Sequence, residues 1–168
     1  MGSQLTVKNL TFMAMYAALF LVLDFMTLYI PFLQMPQGGS IGIGTIALLL
    51  ASYHLGATKG LIVALISIPL QQLTSGLWIA GIPGVFLDYI LAFGIYGIAC
   101  VFPNFGGFYT GIVVTNFIRF ICHVLSGMIC YETPFWGSVV YNAPYMFATC
   151  VVGMLVVPLL YKRLEKIN

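Results

Sequence analysis

Three stretches of this chain, Leu10–Leu23, Gly60–Leu70 and Val151–Leu160, carry no charged side chain on any face. An amphipathic helix of a soluble domain keeps a polar stripe and a half-buried strand alternates. Runs with neither period need apolar surroundings on all sides. The rest of the chain shares this character: 61% of its 168 residues are hydrophobic and 6% charged, at a mean hydropathy of +1.06. That is too little polar surface to coat a soluble particle. A membrane β-barrel would show alternating segments of about ten residues, so helices are predicted instead. In lipid the backbone must bond to itself and a crossing takes roughly 20 residues, which leaves room for about six helices with short connections.

Gly, Pro and polar breaks predict helices over 9–33, 41–54, 58–75, 81–101, 107–131 and 135–161, the second and third short. No long linker or tandem repeat intervenes, so residues 1–168 read as one all-α integral membrane domain, a single six-helix bundle. Lys8, Lys59, Lys162, Arg163 and Lys166 fall on one side of this topology. The loops at 36–40, 74–78 and 131–134 fall on the other and contain no Lys or Arg. An excess of basic residues marks the inner face, so both termini are expected in the cytoplasm.

Against this apolar background four ionisable groups stand out: Asp24, Asp88, Arg119 and His123. Charge is costly in hydrocarbon, so such a group faces a partner or a cavity and marks a functional site by default. At 1.5 Å per residue, Asp88 falls roughly 10 Å and His123 roughly 12 Å below the outer ends of their helices. Asn142 and Asp24 come out at similar depths, with Gln71 and Gln72 somewhat higher. Polar groups from several helices thus meet at one level, as expected of a small-molecule pocket open to the outside.

Arg119, His123, Gly127 and Tyr131 recur every four residues and share one helix face, where Gly127 removes bulk beside the imidazole. Tyr89, Tyr131, Trp136, Tyr141 and Tyr145 offer rings to a planar ligand, and a carboxylate beside aromatic faces suits an organic cation. The Pro36–Ser40 loop, with Gln37, Gly38, Gly39 and Ser40, reads as a flexible lid because of its paired glycines. Plainer roles stay open. Asp88 and Arg119 can form a structural ion pair, His123 can be a hydrogen-bonded core residue, and Trp78, Trp136 and Tyr131 can be interfacial anchors. Asp24 can line the site, pair with Arg119, or be a neutral acid. Ala14 and Ala18 form a small-xxx-small face that lets another helix approach closely.

Other chemistries find less support. Cys100, Cys122, Cys130 and Cys150 show no CxxC or Cys/His spacing, so neither a metal nor another cofactor is expected. A net charge of +2 is no nucleic-acid footprint. Asp24, Asp88 and His123 could serve acid/base catalysis, but no metal motif, paired-carboxylate signature or activated nucleophile accompanies them. An intramembrane enzyme is therefore the weakest reading.

Five segments occur in order: Pro36-Gln37-Gly38-Gly39-Ser40-Ile41, Gly56 with Lys59-Gly60-Leu61, Leu87-Asp88-Tyr89-Ile90-Leu91-Ala92-Phe93, Arg119 to Gly127, and Tyr141-Asn142-Ala143-Pro144-Tyr145-Met146. Together they resemble the thiamine-specific substrate-binding components (S-components) of energy-coupling-factor transporters, over nearly the whole chain. The resemblance implies a multi-pass subunit of a prokaryotic plasma membrane that captures thiamine outside and delivers it inward. Its partners would be membrane lipid, a transmembrane coupling protein and two cytoplasmic ATPases. The chain has no GxxxxGK[ST] phosphate loop, which fits ATP hydrolysis on other subunits.

The resemblance also implies residue roles. Asp88, Tyr89, His123 and Asn142 match ligand-binding positions, and Arg119 matches a basic position one turn before the histidine. Tyr131 stands where the family can have a stacking Trp, and Ala14 and Ala18 match a face that docks on the coupling protein. Three features depart from the pattern: Gly137 replaces a tyrosine, the loop between helices five and six is short, and no Trp lies near Gly38. Trp136 or Tyr141 would compensate. These departures keep open another vitamin or precursor, such as an aminopyrimidine or a pyridoxine-like ring.

Overall fold

Thr6 caps the first helix, its hydroxyl accepting a hydrogen bond from the Asn9 amide at 3.3 Å. Helix α1 then runs Val7–Thr27. It ends before the expected residue 33 because Pro31 holds Ile30 in an extended conformation and opens a 3-10 turn over Pro31–Leu33. The computed structural model describes residues 6–36, 39–74, 76–77 and 79–165. Gln37 and Gly38 of the expected lid, Trp78 and Lys166 lie outside the described residues.

The helices that follow are α2 Thr45–Leu55, α3 Ala57–Gln71, α4 Gly81–Gly97, α5 Thr110–Cys130 and α6 Phe135–Leu164. Gly56 alone joins α2 to α3, in a positive-φ conformation (φ 84°) that suits glycine at a helix end. Between α4 and α5 a 3-10 turn, Ala99–Val101, leads into a small antiparallel ribbon of β1 Asn104–Phe105 and β2 Phe108–Tyr109. The sequence reading started the fifth helix at 107, but Gly106 (φ 60°) turns this ribbon instead.

Three helices, α1, α5 and α6, are long and apolar enough to cross a membrane, whereas α2, α3 and α4 are shorter. Helix α2 is the shortest of the three, and Thr45 to Tyr53 are all buried in it. It packs against α1, α3, α4 and α6, which explains why it is apolar on every face. The outer surface is inverted relative to a soluble protein. Phe117, Val140, Phe147, Leu155 and Leu159 are exposed, while Asp24, Arg119 and Asn142 are buried. With the helix lengths, this marks a membrane protein.

At the end of the bundle that carries Lys8 and Lys59, the helices meet through glycine. A Cβ on Gly60 would lie 2.4 Å from the Gly97 carbonyl oxygen, and one on Gly111 would lie 2.0 Å from that of Ala99. Tyr53 packs edge-on against Tyr109 and tilted against Tyr161, closing the same end with rings. The opposite ends of α1, α3, α4, α5 and α6 surround a cavity.

Candidate functional site

The cavity has a volume of about 560 Å³, within the range of roughly 300–1,000 Å³ usual for small-molecule sites. Its most polar wall is built by α4 and α5. Within α4 the segment Val85–Leu91 widens into a π-helix, and Asp88 and Tyr89 sit on that wide turn. Such segments occur often at functional sites because they re-aim side chains without ending the helix.

Asp88 is held on both oxygens. Oδ1 lies 2.7 Å from His123 Nδ1, and Oδ2 accepts a hydrogen bond from the Ser126 hydroxyl. On the far side of the ring, Arg119 Nε donates to His123 Nε2 at 3.0 Å. An acceptor at Nε2 requires a lone pair there, so the network assigns the ring proton to Nδ1, pointing at the carboxylate. The imidazole thus stands between acid and base. The direct Asp88–Arg119 pair considered from sequence is replaced by a relay through His123.

The Arg119 guanidinium lies 4.7 Å from the Phe93 ring centre and 5.5 Å from that of Tyr96. Its Nη1 is buried with no hydrogen-bond partner among the described residues. Tyr89 is buried and stacks parallel to Phe93.

Helix α6 supplies the facing wall. Asn142 is buried, donating to the Ser138 carbonyl at 2.8 Å and accepting from the Tyr145 hydroxyl. Gly127 and Gly137 both line the cavity. The role of Gly127 differs from the one its spacing suggested. A Cβ there would lie 2.2 Å from Ser138 Oγ, so the glycine admits α6 rather than merely clearing space beside the ring. Tyr131 sits at the rim, 47% exposed and just past the end of α5. Burial raises its phenol pKa and the nearby Asp88 charge adds to that, keeping it a neutral donor.

Tyr141 ties the cavity to the first loop. Its hydroxyl accepts from the Gly39 amide at 3.3 Å and donates to the Pro36 carbonyl. The loop folds back on itself through a Gln34–Ser40 bridge. Removing the hydroxyl in Tyr141→Phe is expected to speed ligand release by roughly 30-fold, at ~1 kcal/mol for each of the two bonds lost. Stopped-flow fluorescence would measure this, with thermal stability nearly unchanged.

The structure brings Asp88, Tyr89, Arg119, His123, Gly127, Tyr131, Tyr141 and Asn142 to one cavity, with Gly39 and Ser40 at its edge. Trp136 is not brought there: it is 73% exposed and packs on Phe135. Asp24 does line the cavity, taking a hydrogen bond from Thr74 Oγ1 at 2.9 Å. Ser126 was missed in the sequence, although a hydroxyl three residues after an intramembrane histidine shares its face. Ala14 and Ala18 line a separate apolar groove on the outside of the bundle, between α1 and α3.

A family profile described as thiamine transporter protein (Thia_YuaJ) matches residues 10–168. The chain belongs to this family. It is 32% identical over 151 residues to the thiamine transporter ThiT of Bacillus subtilis, covering 77% of this chain and 79% of that one. A solved structure described as the S component of a bacterial ECF transporter superposes with a TM-score of 0.67, covering 95% of this chain and 96% of that chain. At 24% identity that likeness speaks for the fold alone. Family membership makes the chain a transport protein rather than an enzyme, and it bears out the resemblance read from the ordered motifs.

Proposed function

We propose that this chain is the substrate-binding component of an ECF-type transporter, capturing thiamine from outside a prokaryotic plasma membrane. In this reading it crosses the membrane six times with both termini in the cytoplasm. The placement of Lys8, Lys59, Lys162 and Arg163 away from the cavity supports that orientation. A transmembrane coupling protein, docking on the Ala14/Ala18 groove, and two cytoplasmic ATPases would supply the energy for inward passage.

The observation that carries the reading is the Asp88–His123–Arg119 relay on the wall of a 560 Å³ cavity that is also lined by tyrosines. Each carboxylate oxygen of Asp88 keeps acceptor capacity beyond the bond it already makes, enough to take an amino group of an aminopyrimidine. His123 and Asn142 would orient ring nitrogens, Tyr89 and Tyr131 would stack, and the loop latched by Tyr141 would cover the entrance. The ring-stacking roles fall to tyrosines, since Trp136 packs on Phe135 outside the cavity.

That substitution, with Gly137 in the cavity wall, favours one second reading: the same architecture holding another aminopyrimidine or a pyridoxine-like vitamin. Mass spectrometry of ligand co-purified in detergent, together with a thermal-shift series of thiamine, pyridoxine, riboflavin and an aminopyrimidine precursor, separates the two. Thiamine is expected to be recovered and to stabilise most. Recovery of a different vitamin, with no shift from thiamine, would overturn the assignment.

A further inference from the structure

The ribbon that joins α4 to α5 has two unlike faces. Its register sets Asn104 opposite Tyr109 and Phe105 opposite Phe108. Residues paired across two strands share a face and neighbours along a strand do not, so the two phenylalanines lie together and Tyr109 lies on the other side. Tyr109 is buried, its ring edge-on to Tyr53 and Tyr161, and fastens the ribbon to the end of the bundle opposite the cavity. The Thr110 hydroxyl closes the base by donating to the Pro103 carbonyl. On the free face Phe105 is 67% and Phe108 50% exposed.

No Asp, Glu, Lys or Arg occurs from residue 89 through 118, so the whole connection is uncharged. A two-stranded ribbon alone is barely stable in water, and two exposed aromatic rings add to that cost. The end of the bundle around it is charged instead. Lys162 and Arg163, the two residues after Tyr161 on α6, are exposed, as are Lys8 and Glu165. An uncharged aromatic tip flanked by basic side chains matches a membrane boundary, where rings sit at headgroup level and bases meet anionic lipid. The ribbon packs on α5 and α6, whereas the groove holding Ala14 and Ala18 lies between α1 and α3. A coupling protein seated in that groove would leave the ribbon to lipid.

We propose that the Phe105/Phe108 face is a lipid-binding foot. Both rings enter the boundary between headgroups and acyl chains of the leaflet at this end, and Lys162 and Arg163 hold anionic phospholipid around them. These two bases against Glu165 leave one net positive charge at the end of α6, which corresponds to about fivefold enrichment of an anionic lipid. The foot lies away from the cavity and does not depend on which vitamin the cavity takes.

The test places the full chain in nanodiscs of equimolar phosphatidylglycerol and phosphatidylcholine. Trp78 and Trp136, the two tryptophans of the chain, are replaced by Phe, and Phe105→Trp or Phe108→Trp supplies a single reporter. One lipid and then the other carries bromine near the headgroup end of its acyl chains, where it quenches a ring at that depth. Quenching is expected, with phosphatidylglycerol enriched about fivefold over phosphatidylcholine at the reporter, and aqueous acrylamide ineffective. Lys162→Gln combined with Arg163→Gln should abolish the enrichment and leave quenching by the two brominated lipids together unchanged. A reporter quenched by acrylamide and not by lipid would overturn the foot. Equal quenching by the two lipids, or an enrichment that survives the double substitution, would overturn its selection of anions. Should the tryptophan-free background not fold, benzoylphenylalanine is introduced at position 105 of the otherwise unaltered chain and irradiated in native membranes. Position 147, where Phe147 is exposed on α6, is the control. Phospholipid adducts at both positions support the foot. A protein adduct at 105, whether a second copy or a coupling protein, overturns it, as does no adduct there when 147 captures lipid.

Discussion

Asp88→Asn is expected to weaken thiamine binding by about 100-fold or more, measured by calorimetry on the detergent-solubilised protein. The asparagine can still take the His123 Nδ1 proton on its oxygen and donate to Ser126, so the local hydrogen-bond geometry is retained. What disappears is the charge at the end of the relay. Arg119 is then buried beside Phe93 and Tyr96 with its balancing acid gone, a loss worth about 3–5 kcal/mol when one member of a buried pair is removed. Part of that cost falls on folding and part on binding, because an uncompensated guanidinium repels a cation entering the cavity. A variant with wild-type affinity would show that the relay is scaffolding and takes no part in ligand capture. Asp88→Glu, which keeps the charge but lengthens the arm, should lose less.

The second large effect concerns the closed end of the bundle. Gly111→Ala is expected to cost about 3 kcal/mol, lowering the melting temperature by roughly 10 °C. The added methyl would meet the Ala99 carbonyl oxygen at 2.0 Å and the Tyr53 hydroxyl at 2.6 Å. A side-chain tip can swing away, but a carbonyl cannot move without displacing the turn that leads out of α4. Gly107→Ala is the matched control, because a methyl there meets nothing within 4 Å. Equal melting temperatures for the two variants would contradict the close approach of α5 to that turn.

How much could be read in advance varied with contrast. Asp88, Arg119, His123 and Asn142 were legible because a polar group in an apolar run has few explanations, and helical spacing placed them at one level. The end of α1 was marked by Ile30-Pro31, and the ribbon by Gly106-Gly107, yet both signals were submerged in the expectation of long helices. Asp24 could not be resolved from its own neighbours. Its hydrogen-bond partners include Thr74 and Gln71, about fifty positions away in sequence and brought close only by folding. Trp136 and Tyr141, five residues apart on α6, looked alike as candidate ring donors. Only the phase of the helix relative to α5 and the first loop separates the one that packs on Phe135 from the one that holds Gly39.

The wide turn at Val85–Leu91 left no trace in the sequence, since one polar residue, Asp88, among apolar neighbours marks a face but not a change of winding. Its consequence is mechanical independence within a single rod. An extra residue in a helical turn rotates everything beyond it by about 100°. The half of α4 that presents Asp88 and the half that grips α3 through Gly97 are therefore set at separate angles. Excising one residue from this turn, such as the half-exposed Phe86, would bring the halves back into a common winding, and one of the two grips would have to be surrendered.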